Sequence, residues 1–361
     1  MIRILGFYLL YLLFISPSAN HSPRFFAMNE EYLHVAKEEE AFFISGEDTS
    51  LQHQVYLLKD SSEADLLYFA PIVTPVCIDG KCKPVHISLY WNLIGNYVGY
   101  ALPPSIPLSK YDHESFEEKD YKRLHQLLLD DKSVLKRKKL EDLFDKNARP
   151  DKKVRYKGEE IDGVTGATRK EIKESLVAGA LYSCYTVWHL AHGEVKDRIV
   201  ARTLAERKDE IDPQLLYSPY RDYQHFAIRQ LDTLDLLRHL PRMVEILPEA
   251  APLTRTYLLK KLPIQAYSIP DHSAALYDQM PRIDLNAKTL LIRKLVHASD
   301  RAVENCFSHL SVFSKNQVKT CLSFLEEYPT RRTARVEELL VQFSENEDFS
   351  YHYLISAFLN Q

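Results

Sequence analysis

Glycine is scarce in this sequence: ten residues in 361, and none after Gly193. Few glycines leave few positions suited to φ > 0, which argues for long helices over a turn-rich all-β fold. Their absence beyond Gly193 also disfavours phosphate-cradling loops in the C-terminal half. Basic charge is not in excess either. The 46 Lys and Arg against 50 Asp and Glu leave a formal charge of −4, so the chain does not read as a nucleic-acid binder. No Gly-x-Ser-x-Gly, His-Glu-x-x-His or Walker loop occurs, which counts against a self-contained hydrolase. Beyond the first twenty residues no apolar run reaches the roughly eighteen residues of a membrane-spanning helix. The mature chain is therefore expected to carry no transmembrane segment. What is present is 45% hydrophobic and 27% charged, with 22 tyrosines. That is enough apolar content for packed cores, and the length suggests two domains.

The first nineteen residues predict a compartment. Arg3 is followed by the apolar run Ile4 to Ile15 and then by Ser16-Pro17-Ser18. This is the order of a secretory signal peptide, with cleavage expected after Ser18 or Ala19. As a helix the run covers about 18 Å, too short for a hydrocarbon core of about 30 Å. A periplasmic or otherwise extracytoplasmic location is the expectation, with no cysteine near the cleavage region to take a lipid anchor.

Five cysteines remain, Cys77, Cys82, Cys184, Cys306 and Cys321, and an odd count leaves at least one thiol unpaired. Cys77 and Cys82 bracket Ile78-Asp79-Gly80-Lys81. Asp-Gly is the preferred two-residue type I′ hairpin loop, which sets the two cysteines opposite each other. A disulfide staple is the plain expectation; a redox-active dithiol is the alternative. Zinc is disfavoured, because no second Cys/His pair with ligand spacing accompanies them. The remaining three cysteines receive no role.

The text changes character near residue 200. Val55–Leu58, Leu66–Phe69, Val85–Trp91 and Tyr97–Tyr100 are rich in aromatic and β-branched residues and bounded by Gly, Asn and Pro, which reads as strands. Residues 116–140 read as one or two surface helices, 154–161 as a short strand, and 170–192 as a helical stretch. The expected fold is therefore an α+β domain over residues 20–200, followed by an all-α, solenoid-like domain over residues 215–361. In that second part an apolar triplet, two polar or charged residues and a closing Leu or Tyr recur. The copies end at Leu231, Leu262, Leu295 and Tyr328, close to the period of stacked helix pairs. HEAT-like repeats are the nearest likeness.

Chemistry concentrates at Asp162-Gly163-Val164-Thr165-Gly166-Ala167-Thr168, which holds two of the ten glycines. A glycine-containing turn between a strand and a helix brings backbone N–H groups near an anion, and Arg169-Lys170 add positive charge. A plain capped helix is equally allowed, with Thr168 as N-cap and Glu171 completing a capping box. The segment resembles the flavinylation motif of FMN-binding domains in extracytoplasmic electron-transfer proteins, such as subunits of sodium-pumping NADH:quinone reductases and Rnf-type complexes. The resemblance implies FMN joined through a phosphoester to Thr168 by a flavin transferase. It makes Asp162 the leading acid, and Gly163, Thr165, Gly166 and Ala167 the turn that presents Thr168. Arg169-Lys170 depart from the small or hydroxyl residues usual after this motif.

Trp91, Tyr90, Tyr97, Tyr100, Tyr182, Tyr185 and Trp188 are candidates to stack on a flavin ring, although strand aromatics are usually core. His189 and His192, with Cys184 nearby, have metal-like spacing but no carboxylate-rich partner segment. Asp112, His113 and Glu114 invite an acid/base reading with no nucleophile beside them. The function implied is an extracytoplasmic flavoprotein relaying electrons to or from a redox partner protein. The alternative is a non-flavinylated scaffold whose helical repeats dock a partner.

Overall fold

The computed structural model describes residues 24–28, 34–45, 51–76, 83–104, 106–110, 114–139, 176–206 and 215–360. The chain divides into two compact units, Met1–Glu206 and Arg207–Gln361.

The first unit is built on a six-stranded antiparallel sheet: β1 (Arg24–Phe26), β2 (Lys37–Ser45), β3 (Gln52–Lys59), β4 (Asp65–Thr74), β5 (Val85–Trp91) and β6 (Tyr97–Ala101). Strands β2 to β6 form a meander, and β1 closes the far edge against β6. Alternation explains the strands. In β5, Val85, Ile87, Leu89 and Trp91 are buried while His86, Ser88 and Tyr90 are half-buried, the period-two pattern of a sheet with one covered face. Strand β2, with the sequence Lys-Glu-Glu-Glu, is the edge that the composition hid. A charged edge strand resists pairing with another chain, and its charges made it read as anything but a strand.

Helices α1 (Glu118–Leu129), α2 (Leu181–His192) and α3 (Glu194–Glu206) belong to this unit. Helix α2 is buried on almost every side. Side-chain donors lash these elements together: the Trp91 indole to the Ala191 carbonyl at 2.8 Å, and the Tyr100 hydroxyl to the Tyr121 carbonyl at 2.9 Å. On α3, Arg202 pairs with Glu39 at 3.0 Å, and Glu194 accepts from the Ser45 N–H at 2.7 Å. The turn before β6 needs Gly95, which has φ +75° and would place a Cβ 2.7 Å from the Lys196 backbone.

One expectation is corrected here. Residues 170–192 do not form one helix: Leu176 to Ala180 are non-helical and Gly179 has φ +82°, so α2 starts only at Leu181. A glycine in the left-handed region breaks the i→i−4 ladder, and sequence periodicity alone passed over it.

The second unit is helical: α4 (Arg221–Gln230), α5 (Thr233–Arg238), α6 (Leu240–Glu249), α7 (Pro252–Lys261), α8 (Gln265–Ser268), α9 (Pro270–Tyr277), α10 (Leu285–Ile292), α11 (Asp300–Ser308), α12 (Lys315–Glu327), α13 (Ala334–Glu345) and α14 (His352–Leu359). Packing follows two interleaved series. Helix α6 packs on α9, α9 on α11 and α11 on α13; α7 packs on α10, α10 on α12 and α12 on α14. Ion pairs repeat the same step: Glu249 with Arg282 at 2.7 Å, Asp271 with Arg301 at 3.2 Å, and Asp300 with Arg331 at 2.6 Å. Two buried tyrosines add cross-links: the Tyr277 hydroxyl of α9 donates to the Leu291 carbonyl of α10 and so ties one series to the other, and the Tyr267 hydroxyl of α8 donates to the Leu259 carbonyl of α7, both at 2.8 Å. All four copies of the sequence repeat fall on the C-terminal ends of α4, α7, α10 and α12. No helix among the described residues is long and apolar enough to cross a membrane.

Candidate functional site

The motif residues Asp162, Gly163, Thr165, Gly166, Ala167 and Thr168 lie outside the described residues, as do the leader residues 1–23, Asp112 and His113. So do Cys77 and Cys82. The strands leading to the two cysteines are described: β4 and β5 pair one-for-one from Tyr68↔Trp91 to Thr74↔Val85. Cys77 is three residues after Thr74 and Cys82 three before Val85.

The aromatic candidates sort by face. Trp91, Tyr97, Tyr100, Tyr182, Tyr185 and Trp188 are all buried, and several spend their polar atoms on backbone carbonyls. They are core, not a platform for a cofactor. Only Tyr90 is half-exposed, and it belongs to a feature that sequence reading missed. On the sheet face opposite Trp91, rings from four strands form a row: Phe26 to Tyr90 at 4.9 Å, Tyr90 to Phe69 at 5.3 Å and Phe69 to Tyr56 at 5.8 Å. The Tyr90–Phe69 pair is stacked, with the rings inclined at 28°. All four residues are half-exposed. Gly99 of β6 lies between Phe26 and Tyr90, and a Cβ there would fall 2.6 Å from the Phe26 ring. The signal was available in the strand alternation, where Tyr56, Phe69 and Tyr90 occupy the positions opposite in phase to the core residues.

On the covered face, polar groups gather where α1 meets α2. The Tyr97 hydroxyl and His125 Nδ1 are 2.9 Å apart, and His192 Nε2 lies 2.7 Å from the Leu128 carbonyl oxygen. Burial pushes the Tyr97 hydroxyl well above its ordinary range and holds His125 and His192 below theirs. This is a neutral, hydrogen-bonded core cluster. His189 is half-buried, and no group of His, Cys, Asp and Glu suited to a metal ion occurs among the described residues. Cys184, Cys306 and Cys321 are buried. Burial pushes the Cys306 thiol up, reinforced by its hydrogen bond with Cys321. A thiol held protonated is a poor nucleophile.

Compared with protein-family models, curated proteins and solved structures, the chain matches none.

Proposed function

We propose that this chain is an exported docking protein that presents a covalently held FMN, with its helical unit serving as a solenoid of stacked helix pairs. The docking part is carried by one observation: the two helix series that step through the second unit, with inter-pair ion bridges recurring at the same step. Each pair buries its apolar face on its neighbours, and such an array exposes a long continuous surface suited to another protein.

The flavin part rests on the sequence Asp162–Thr168 and on the leader at residues 1–19. Covalent attachment keeps a cofactor that would otherwise be lost outside the cytoplasm. When bound, FMN supplies one-electron and hydride chemistry. The half-exposed faces of Tyr90 and Phe69 suit a planar ring system. The same export would allow Cys77 and Cys82 to close as a disulfide, in line with the register of β4 and β5.

Co-expression with an active flavin transferase, followed by intact mass and visible absorbance, tests the flavin part. The expected result is one added FMN on the peptide containing Thr168, lost in Thr168→Val while the fold is retained. Wild-type protein that gains no mass leaves the scaffold reading alone.

A further inference from the structure

Charges in the second unit are compensated unevenly. In the series α6, α9, α11, α13 and the turns beside it, four acids are matched by arginines: Glu249 by Arg282, Asp271 by Arg301, Asp300 by Arg331 and Glu338 by Arg335. Three cations at the ends of α4, α7 and α10 stand apart from these pairs. Arg229, Lys260 and Arg293 occupy the same position of the repeat, all three are exposed, and none has an ion-pair partner among the described residues. Each is followed by Gln230, Lys261 and Lys294 respectively, so two further cations lie directly beside the strip.

Neighbouring helix ends meet. Lys261 Nζ donates to the Ile228 and Arg229 carbonyls, both at 2.7 Å, which joins the end of α7 to the end of α4. Helix α7 in turn packs on α10. Asp232, two residues beyond α4, already accepts from the Asp235 N–H. At the fourth copy the sign reverses, with Glu326 and Glu327 in the equivalent places.

Basic residues at helix C-termini are favoured by the helix dipole, so one of them would need no explanation. A dipole alone does not account for three exposed cations in register beside two more, on a chain of net charge −4. Arginines elsewhere in the unit find carboxylates, so acids are not lacking. Mutual repulsion along such a strip is relieved by a counter-charged partner.

We infer that Arg229, Lys260 and Arg293 form a docking strip for an extended acidic segment of a partner protein. This rests on the stacked-pair reading above and adds the chemistry of the partner. Under the stacked-pair reading, helix axes about 8–10 Å apart set the spacing of the three cations. A polyproline II segment rises about 9 Å over three residues and returns every third side chain to the same face. The fitting partner therefore carries an acid at every third position across three repeats. Tyr257, one turn before Lys261, is exposed, and Lys261 Nζ lies 5.9 Å from its ring centroid.

The probe is a fluorescein-labelled peptide of four Glu-Pro-Pro repeats, titrated into the full chain at low salt. Saturable binding that weakens as salt rises is expected. The triple variant Arg229→Gln, Lys260→Gln, Arg293→Gln should bind about tenfold more weakly, from three exposed pairs. Lys319→Gln, an exposed cation outside the strip, should bind as wild type, and circular dichroism should show both variants folded. Equal binding by the triple variant overturns the inference. So does absence of peptide binding, or capture of phosphatidylglycerol vesicles without peptide binding. The stacked-pair reading has its own test in hydrogen exchange, so its failure is distinguishable from failure of the acidic strip.

Discussion

Gly99 shows how one missing carbon shapes a surface. A Cβ there would stand 2.6 Å from both the Phe25 carbonyl oxygen and the Phe26 ring, so neither β1 nor the aromatic row could keep its place. Gly99→Ala should therefore loosen β1 and lower stability by about 1–3 kcal/mol, the usual cost of overpacking. Urea unfolding, with amide exchange at Phe25 and Ala27, reads both effects. Asp120 makes a second test at this scale. Its carboxylate lies 2.7 Å from Lys110 Nζ, with both side chains less than a tenth exposed, and it also accepts from the Glu117 N–H that starts α1. Removing one partner strands the other charge in a dry site. Asp120→Ala should cost about 3–5 kcal/mol, and the double variant with Lys110→Met should recover much of that loss. A loss in Asp120→Ala no larger than at an exposed pair would contradict this account of the site.

At the scale of elements, Tyr277 is the clearest link between the two helix series. Its ring is fully buried and its hydroxyl donates to the Leu291 carbonyl at 2.8 Å. Tyr277→Phe keeps the ring but leaves that carbonyl unmatched, and should lower stability by about 1–3 kcal/mol in thermal or chemical unfolding. Much of this level was legible in the sequence. Strands β3 to β6 follow the aromatic and β-branched runs, and the repeat copies mark four helix ends. The rest was hidden for identifiable reasons. Strand β2 carries Lys37, Glu38, Glu39 and Glu40, and an edge strand can be polar on both faces because only one side is paired. Helix α2 was read as too long because Gly179 stood inside an otherwise continuous pattern. The aromatic candidates were correctly found as aromatics, but alternation had to be followed strand by strand to separate Tyr90 from buried Trp91. The motif Asp162–Thr168 was legible as a motif only, and its geometry lies outside the described residues.

For the molecule as a whole, acid should destabilise the first unit. Burial holds His53, His125 and His192 below the ordinary imidazole value of 6.5, and the buried Nε2 of His53 has no hydrogen-bond partner among the described residues to ease a charge. A depressed folded-state value means that the unfolded chain takes up the proton first. The stability these groups contribute is thus complete above pH 6.5 and falls as pH drops from there through their folded values. Urea unfolding at pH 8 and at pH 5, followed by the fluorescence of Trp91 and Trp188, should show a lower midpoint in acid. An unchanged midpoint would contradict it. The central claim concerns the helical unit, and native-state hydrogen exchange of wild type and Leu340→Ala tests it most directly. Leu340 is fully buried in α13, so the truncation opens a cavity worth about 2–5 kcal/mol at one end of the array. In a stack of helix pairs each pair leans on its neighbours. Protection should therefore fall most in α13 and α14, less in α11 and α12, and not at all in α4 and α7. Equal loss of protection from α4 to α14 would show a single globular unit and contradict the account.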